Sequence, residues 1–142
     1  MITNIIREHV QTMKRVENWQ EAIRKAAIPL LQIGAINEQY IEAMIHNVEV
    51  NGPYIVIMPD VAMPHSRVED GAFSTATSLL KLEEGVLFPK EKEVHLIIVL
   101  AASDNDTHMQ LLSDMVDLFM DEEKMEKLLK TNSKDEIEAI LA

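Results

Sequence analysis

Apolar residues in the first third of the chain recur every three to four positions, as they do along the buried face of a helix. The first such stripe consists of Ile5, Ile6, Val10, Met13 and Val16. A second helix is predicted to begin after Asn18 as its N-cap, with Pro29 interrupting or kinking it. A third is predicted from Asn37 to the Asn-Gly-Pro turn signal at residues 51–53.

After this turn the pattern changes to short apolar runs typical of β-strands. Five segments are predicted as strands: 54–58, 61–63, 74–80, 86–88 and 94–100. The last of them is apolar on both faces, so we expect a central strand covered by helices on each side. Helices are predicted again after the polar loop 101–107, around 122–129 and around 134–141.

This order of elements predicts an α/β fold in which a mixed sheet of about five strands is flanked by helices on both faces. The chain has 142 residues, a length that suits one hydrophobic core. No internal repeat and no linker-like segment interrupts the pattern. We therefore expect residues 1–142 to form a single domain.

The charge and composition exclude several functional classes. Asp and Glu number 24 against 13 Lys and Arg, which gives a net charge of −11 and disfavours nucleic acid as a partner. There is no Cys, so disulfides and thiolate chemistry are excluded. The first residues lack the apolar run of a signal peptide, and the longest apolar stretch, residues 96–102, is too short to span a bilayer. We expect a cytoplasmic protein.

The candidate chemistry lies in the five histidines, which are the side chains here able to act as neutral nucleophiles near pH 7. His65 follows an extended segment that ends in Pro64, and proline makes the backbone there rigid. His108 falls in the first turn of the predicted helix after the polar loop. That helix start also offers unpaired amides as a candidate anion site, for which the neighbouring Asp104 and Asp106 would compete.

The other three histidines have structural explanations. His46 lies off the apolar stripe of its helix and is predicted to be exposed. His95 lies within the central strand, where a buried and hydrogen-bonded imidazole is expected, and His9 is read as structural. A metal-dependent hydrolase with His65 and His108 as ligands fits poorly, because no His-x-x-x-His pair and no third ligand has the expected spacing. No metal site is predicted.

The run Val61-Ala62-Met63-Pro64-His65 resembles the signature of the enzyme IIA components of the bacterial phosphoenolpyruvate-dependent sugar phosphotransferase system (PTS), in the mannitol/fructose/nitrogen-regulatory superfamily. A second match is His108-Met-Gln-Leu-Leu-Ser113, and the resemblance covers nearly the whole chain. A finer likeness is to the ascorbate-type IIA proteins, in residues 18–22, in residues 52–57, in Arg67 and in Glu69-Asp70-Gly71.

The resemblance implies a phosphotransferase in which the carrier protein HPr phosphorylates His65, and His65 passes the group to a IIB component. It implies that His108 is the companion histidine, that the membrane IIC component is an indirect partner, and that no cofactor is needed. Many family members also carry an Arg upstream of the signature, where this chain has no basic residue in 47–51. Arg67 is the candidate replacement that would bind the phosphoryl group.

A regulatory module remains the alternative interpretation. Such a protein would have the same fold and be phosphorylated at His65, but its phosphorylation state would control a transcription factor or a transporter instead of feeding sugar uptake.

Overall fold

The computed structural model describes residues 2–142, without the side chains of residues 3 and 4. Its helices are α1 (Ile2–Arg7), α2 (Trp19–Gln32), α3 (Glu38–Asn51), α4 (Asn105–Phe119), α5 (Glu122–Lys130) and α6 (Lys134–Leu141). Its strands are β1 (Val10–Met13), β2 (Val56–Met58), β3 (Asp60–Ala62), β4 (Ala76–Phe88) and β5 (Lys92–Ala101). None of the helices in the described residues has the length and hydropathy needed to cross a bilayer.

The five strands form one sheet in the order β1-β4-β5-β3-β2. β1 runs parallel to β4 and β3 runs parallel to β5, whereas the pairs β4–β5 and β2–β3 are antiparallel. The predicted mixed sheet of about five strands is therefore confirmed, and so is the central position of the last strand.

Helices cover both faces of this sheet and so bury the apolar side chains on both sides of β5. Ile97 and Val99 face a cluster formed with α2 and α3. Leu96, Ile98 and Leu100 face a second cluster, which contains residues of α1, α4, α5 and α6. All five of these side chains are completely buried, as the doubly apolar pattern predicts.

The prediction of one helix over residues 5–16 is wrong. The helix ends at Arg7, and the chain enters β1 at Val10. Backbone pairing with β4 decides this, since Val10 lies opposite Leu79 and the Leu79 N–H donates to the carbonyl of His9 at 2.8 Å. The apolar spacing fits a helix, yet the tertiary partner favours a strand.

The prediction that Pro29 interrupts the second helix is also wrong, since α2 continues to Gln32. A proline inside a helix leaves the carbonyl four residues earlier, here that of Lys25, without its usual N–H partner. The side chain of Gln11 in β1 donates to this carbonyl at 2.9 Å. The helix can pass through Pro29 because a neighbouring strand supplies the missing donor.

The segments predicted as separate strands at 74–80 and 86–88 form the single strand β4. Its register with β5 shifts between Lys81 and Val86, so the residues between them form a bulge. This bulge stays attached to the sheet, because the Glu84 N–H donates to the carbonyl of Lys14 at 2.8 Å. The predicted segment 54–58 is shorter in the structure, at Val56–Met58, and the predicted segment 61–63 is shifted by one residue, to Asp60–Ala62.

The parallel pair β3 and β5 places two chain segments at the same edge of the sheet. β3 leads into Pro64 and His65, and β5 leads into the loop before α4 and His108. The Leu100 N–H donates to the Pro64 carbonyl at 3.1 Å, which extends the pairing of these strands to the residue before His65. The predicted helices after the polar loop and at 122–129 and 134–141 are confirmed as α4, α5 and α6.

Candidate functional site

The segment that carries His65 is fixed on both sides. Met63 and Pro64 are buried, the Met63 N–H donates to the Ile55 carbonyl at 2.9 Å, and Pro64 accepts the bond from Leu100. His65 itself is partly exposed. A rigid backbone therefore presents one imidazole at the edge of the sheet, as the sequence predicts.

The hydrogen bond of His65 determines its tautomer. Nδ1 lies 2.8 Å from the carbonyl oxygen of Met63. A carbonyl can only accept, so Nδ1 carries the hydrogen, and in the neutral ring Nε2 has the free lone pair. Burial lowers the pKa of His65 below its usual 6.5. The hydrogen bond to Met63 raises the pKa, and the charge of His108 lowers it further. His65 is thus neutral at pH 7, with the lone pair of Nε2 free.

We predict that the imidazole of His65 titrates with a midpoint below pH 6.5. Its lowered pKa means that the folded protein binds the proton less tightly than the unfolded chain does. His65 therefore makes its full contribution to the free energy of unfolding above pH 6.5. This contribution is lost as the pH falls from 6.5 through the pKa of His65 in the folded protein. NMR titration of the His65 ring protons measures the midpoint directly, and a value at or above 6.5 would contradict the buried, neutral imidazole.

His108 lies beside His65, in the first turn of α4 as predicted. The two ring centroids are 5.5 Å apart, with the ring planes inclined by 48°. Tyr54 approaches His65 edge-on, with centroids 6.2 Å apart and an interplanar angle of 87°. The structure thus brings the two candidate histidines together and adds an aromatic neighbour that the sequence analysis did not select.

The amides at the start of α4 are engaged by a side chain. Asp104 is the N-cap, and its carboxylate accepts the Thr107 N–H at 2.7 Å. Bonds from Thr107, together with smaller contributions from Ser103 and the Asp106 backbone, lower the pKa of Asp104, so the carboxylate is ionised at neutral pH. The aspartate thus occupies the Thr107 amide, as the predicted competition implies.

A buried tyrosine links α3, the His65 segment and β5. The hydroxyl of Tyr40 donates to the Leu100 carbonyl at 2.7 Å and accepts the Ser66 N–H at 3.0 Å. Burial raises the pKa of Tyr40 to about 12, so the hydroxyl keeps its proton. These bonds hold the residue that follows His65 against the end of β5.

We predict that Tyr40→Phe lowers the free energy of unfolding by about 2 kcal/mol, because it leaves the buried Ser66 N–H and Leu100 carbonyl without this partner. Urea denaturation followed by the fluorescence of Trp19 measures the change. Tyr54→Phe is the matched control, since Tyr54 is 47% exposed and its variant should stay within about 0.5 kcal/mol of the wild type. Equal stabilities of both variants would contradict the proposed link.

Arg67 is held at the rim of the site by Asp70. Its guanidinium donates to Asp70 at 3.2 Å while 76% of its side chain is exposed. The Ser66 hydroxyl also donates to Asp70, and this hydrogen bond lowers the pKa of the Asp70 carboxyl more than any other interaction does. Asn47 in turn donates to the Ser66 hydroxyl at 3.1 Å. An exposed ion pair of this kind is weak, so the guanidinium can turn towards an anion in the site.

These side chains surround a cleft of about 270 Å³. Its lining residues are Asn47, Tyr54, His65, Ser66, Arg67, Val68, Asn105 and His108. No carboxylate is among them, although the chain carries 24 Asp and Glu. Amide, imidazole and guanidinium groups line the cleft without a carboxylate, so it suits a small anion.

Five residues of this lining were not selected from the sequence: Asn47, Tyr54, Ser66, Val68 and Asn105. Asn47 had a usable signal, because it follows Tyr40 by seven residues and therefore lies on the same side of α3. Tyr54 lies in a turn and Asn105 is the first residue of α4, positions where polar and aromatic residues have many structural uses.

The remaining histidines lie outside the cleft. His46 is exposed, which confirms its prediction. His95 is hydrogen-bonded as predicted, but it is only partly buried, with its Nδ1 3.0 Å from Asp60 Oδ1. His9 pairs through its backbone carbonyl with β4. In the described part of the chain, His65 and His108 have no third His, Asp or Glu close enough to share an ion with both.

Comparison with known proteins gives a consistent result. The family model for "Phosphoenolpyruvate-dependent sugar phosphotransferase system, EIIA 2" matches residues 4–142. The mannitol-specific cryptic phosphotransferase enzyme IIA component of Escherichia coli (strain K12) is 38% identical over 134 residues, which cover 94% of this chain and 91% of that protein. The ascorbate-specific PTS system EIIA component of the same strain is 33% identical over 131 residues, covering 90% and 85%.

Solved structures show the same similarity. The solution structure of the cryptic mannitol enzyme IIA from Escherichia coli superposes with a TM-score of 0.92 at 35% identity, over 99% of this chain and 97% of that one. A complex of the mannitol enzyme IIA with phosphorylated enzyme IIB, also from Escherichia coli, matches with a TM-score of 0.77 at 29% identity, over 92% of each chain.

Proposed function

The chain belongs to the EIIA 2 family of the phosphoenolpyruvate-dependent sugar phosphotransferase system and is a phosphotransferase component of the IIA type, and we propose that His65 is the residue that carries its phosphoryl group. One observation carries the assignment to His65. Its Nδ1 is bound to the Met63 carbonyl, which leaves Nε2 as a free base in a cleft that no carboxylate lines.

In the proposed reaction, Nε2 of His65 attacks the phosphorus of a phosphorylated donor protein. A nitrogen–phosphorus bond forms while the bond between phosphorus and the donor breaks, and the imidazole ring gains a positive charge. The Met63 carbonyl, 2.8 Å from Nδ1, accepts a hydrogen bond from Nδ1–H. This bond strengthens as the positive charge of the ring develops and makes Nδ1–H more acidic. The reverse changes occur when the group leaves for the next acceptor.

Side chains of the cleft would stabilise the phosphoryl oxygens. We assign this role first to His108, whose ring lies beside that of His65. Asn105 and Asn47 line the same cleft and carry amide donors, and Arg67 can add its guanidinium from the rim. The positioning of these donors supplies most of what phosphoryl transfer needs from a protein.

We propose that this step belongs to a relay of proteins. We propose that HPr is the donor, that a IIB component is the acceptor and that the membrane IIC component is an indirect partner. The similarity to the IIA chain of a solved IIA–IIB complex supports the acceptor. We also propose that residues 1–142 act as one EIIA type-2 domain in the cytoplasm. Both a mannitol-type and an ascorbate-type relative match, so the proposal names the transfer step and leaves the sugar open.

A reconstituted relay tests this function. The purified chain is incubated with phosphoenolpyruvate, enzyme I and HPr, and intact mass spectrometry counts the acid-labile phosphoryl groups per chain. We expect one group per chain, its appearance to require HPr, and its loss on addition of the IIB component of the same transporter. A chain that stays unmodified while HPr is fully phosphorylated would contradict the proposal.

A further inference from the structure

Three side chains with metal-binding groups meet at the end of the sheet away from the cleft. Asp60 is the first residue of β3, and Glu93 and His95 lie near the start of the neighbouring strand β5. One ligand atom of each lies within 4.8 Å of the other two. We propose that these residues, the Asp60 cluster, form a binding site for a zinc ion, independent of the phosphoryl transfer at His65.

The geometry of the closest pair fits a shared ion. Nδ1 of His95 and Oδ1 of Asp60 are 3.0 Å apart. Two donors that bind one Zn²⁺ at about 2.0–2.1 Å in a tetrahedral arrangement lie about 3.3 Å apart. Zinc can therefore replace the hydrogen between these atoms with movements of a few tenths of an ångström, and Glu93, which is exposed, can turn in as the third ligand.

The backbone around the Asp60 cluster shapes the positions of its side chains. Asp60 has a φ of 72° directly after Pro59, in the tight turn between β2 and β3, a conformation that Asp tolerates better than most residues. The bulge of β4 brings Gly85 against the other two side chains. A Cβ at Gly85 would lie 2.6 Å from Cγ of Glu93 and 2.7 Å from Cε1 of His95, so a bare backbone is needed there.

The charges around the cluster leave room for a cation. Among the described residues, neither Asp60 nor Glu93 forms an ion pair with Lys or Arg. The ammonium of Lys81 is close enough for Asp60 to act on its pKa, but it donates to Asn132 at 2.8 Å and to the Leu82 carbonyl at 3.3 Å. Two carboxylates therefore face one imidazole, and the ammonium of Lys81 lies near them without forming an ion pair.

The donor set selects the type of ion. One imidazole nitrogen with two carboxylate oxygens suits zinc, whereas magnesium and calcium prefer oxygen ligands alone. Three protein ligands leave the fourth tetrahedral position of zinc to solvent, in agreement with the exposure of Glu93. Because the ligands come from two neighbouring strands, bound zinc would tie the turn before β3 to β5.

Isothermal titration of the full chain with zinc chloride at pH 7.5 tests the site through three nearly isosteric variants, Asp60→Asn, Glu93→Gln and His95→Gln. We expect each to weaken zinc binding by about tenfold or more. His46→Gln is the control, since His46 is an exposed histidine on α3 outside the Asp60 cluster, and its affinity should stay within about twofold of the wild type.

Zinc could also bind to the adjacent rings of His65 and His108, so NMR must identify the site. On addition of less than one equivalent of zinc to the wild type, we expect the ring signals of His95 to change before those of His65 and His108. The proposal is overturned if the three variants bind zinc as tightly as the wild type, or if the rings of His65 and His108 respond first.

Discussion

The variant His65→Gln will accept no phosphoryl group from phosphorylated HPr. Glutamine is similar in size and keeps a polar amide in the place of Nε2, so the local structure should persist even though the hydrogen bond from Nδ1 to the Met63 carbonyl is lost. An amide nitrogen, however, has no basic lone pair that could attack phosphorus, and the reaction loses its nucleophile. Intact mass spectrometry after incubation with phosphoenolpyruvate, enzyme I and HPr should show only the unmodified mass.

The control for this experiment is His46→Gln, which removes an exposed histidine of α3 and should be labelled like the wild type. Equal thermal unfolding of both variants establishes that the loss is chemical. If His65→Gln were labelled to the same extent as the wild type, the phosphoryl group would be carried elsewhere, and the proposed role of His65 would be wrong.

The variant His108→Gln will still accept the phosphoryl group, but it will exchange it about 10²-fold more slowly with HPr and with the IIB component. The substitution leaves His65 and the hydrogen bond from His65 to Met63 in place, since the ring of His108 only lies beside that of His65, at a centroid distance of 5.5 Å. What the variant loses is a donor to the oxygens of the group in transfer. Rapid-quench measurements of uptake and release give both rates.

Gln110→Ala is the matched control on the same helix, because Gln110 is exposed and bonds only to Asp114 on α4. It should transfer at the wild-type rate. Rates for His108→Gln within twofold of this control would show that His108 contributes nothing to transfer, whereas a complete loss of labelling would show that His108 is required for uptake or is itself the residue that carries the phosphoryl group.

The central part of the fold could be predicted because its pattern has one physical solution. A strand that is apolar on both faces, such as residues 94–100, can be stable only between two layers of helices. The caps Asn18 and Asn37 were equally readable, and each accepts a backbone N–H in the first turn of its helix.

The errors lie where a distant part of the chain decides the local structure. The spacing of Val10 and Met13 fits a helix, but backbone pairing with β4 makes this segment a strand. α2 passes through Pro29 because Gln11 supplies the missing donor. No local pattern contains the position of that side chain, and the same holds for the bulge that joins the two predicted parts of β4.

The candidate site shows the same division. His65 was selected from the sequence for the rigid segment before it, and His108 for its place in the first turn of a helix. The structure brings them together because β3 and β5 are parallel neighbours. The bond from His65 to Met63 and the hydroxyl of Tyr40 between Ser66 and Leu100 depend on side-chain directions that emerge only in the folded chain. The engagement of Arg67 by Asp70 likewise becomes visible only there.

The most direct measurement locates the phosphoryl group on the ring of His65. NMR of the phosphorylated chain labelled with ¹⁵N in histidine distinguishes the two ring nitrogens through their coupling to ³¹P. We predict a bond to Nε2 of His65, with Nδ1 protonated and bound to the carbonyl of Met63. A phosphoryl group on Nδ1 of His65, or on the ring of His108, would contradict the account.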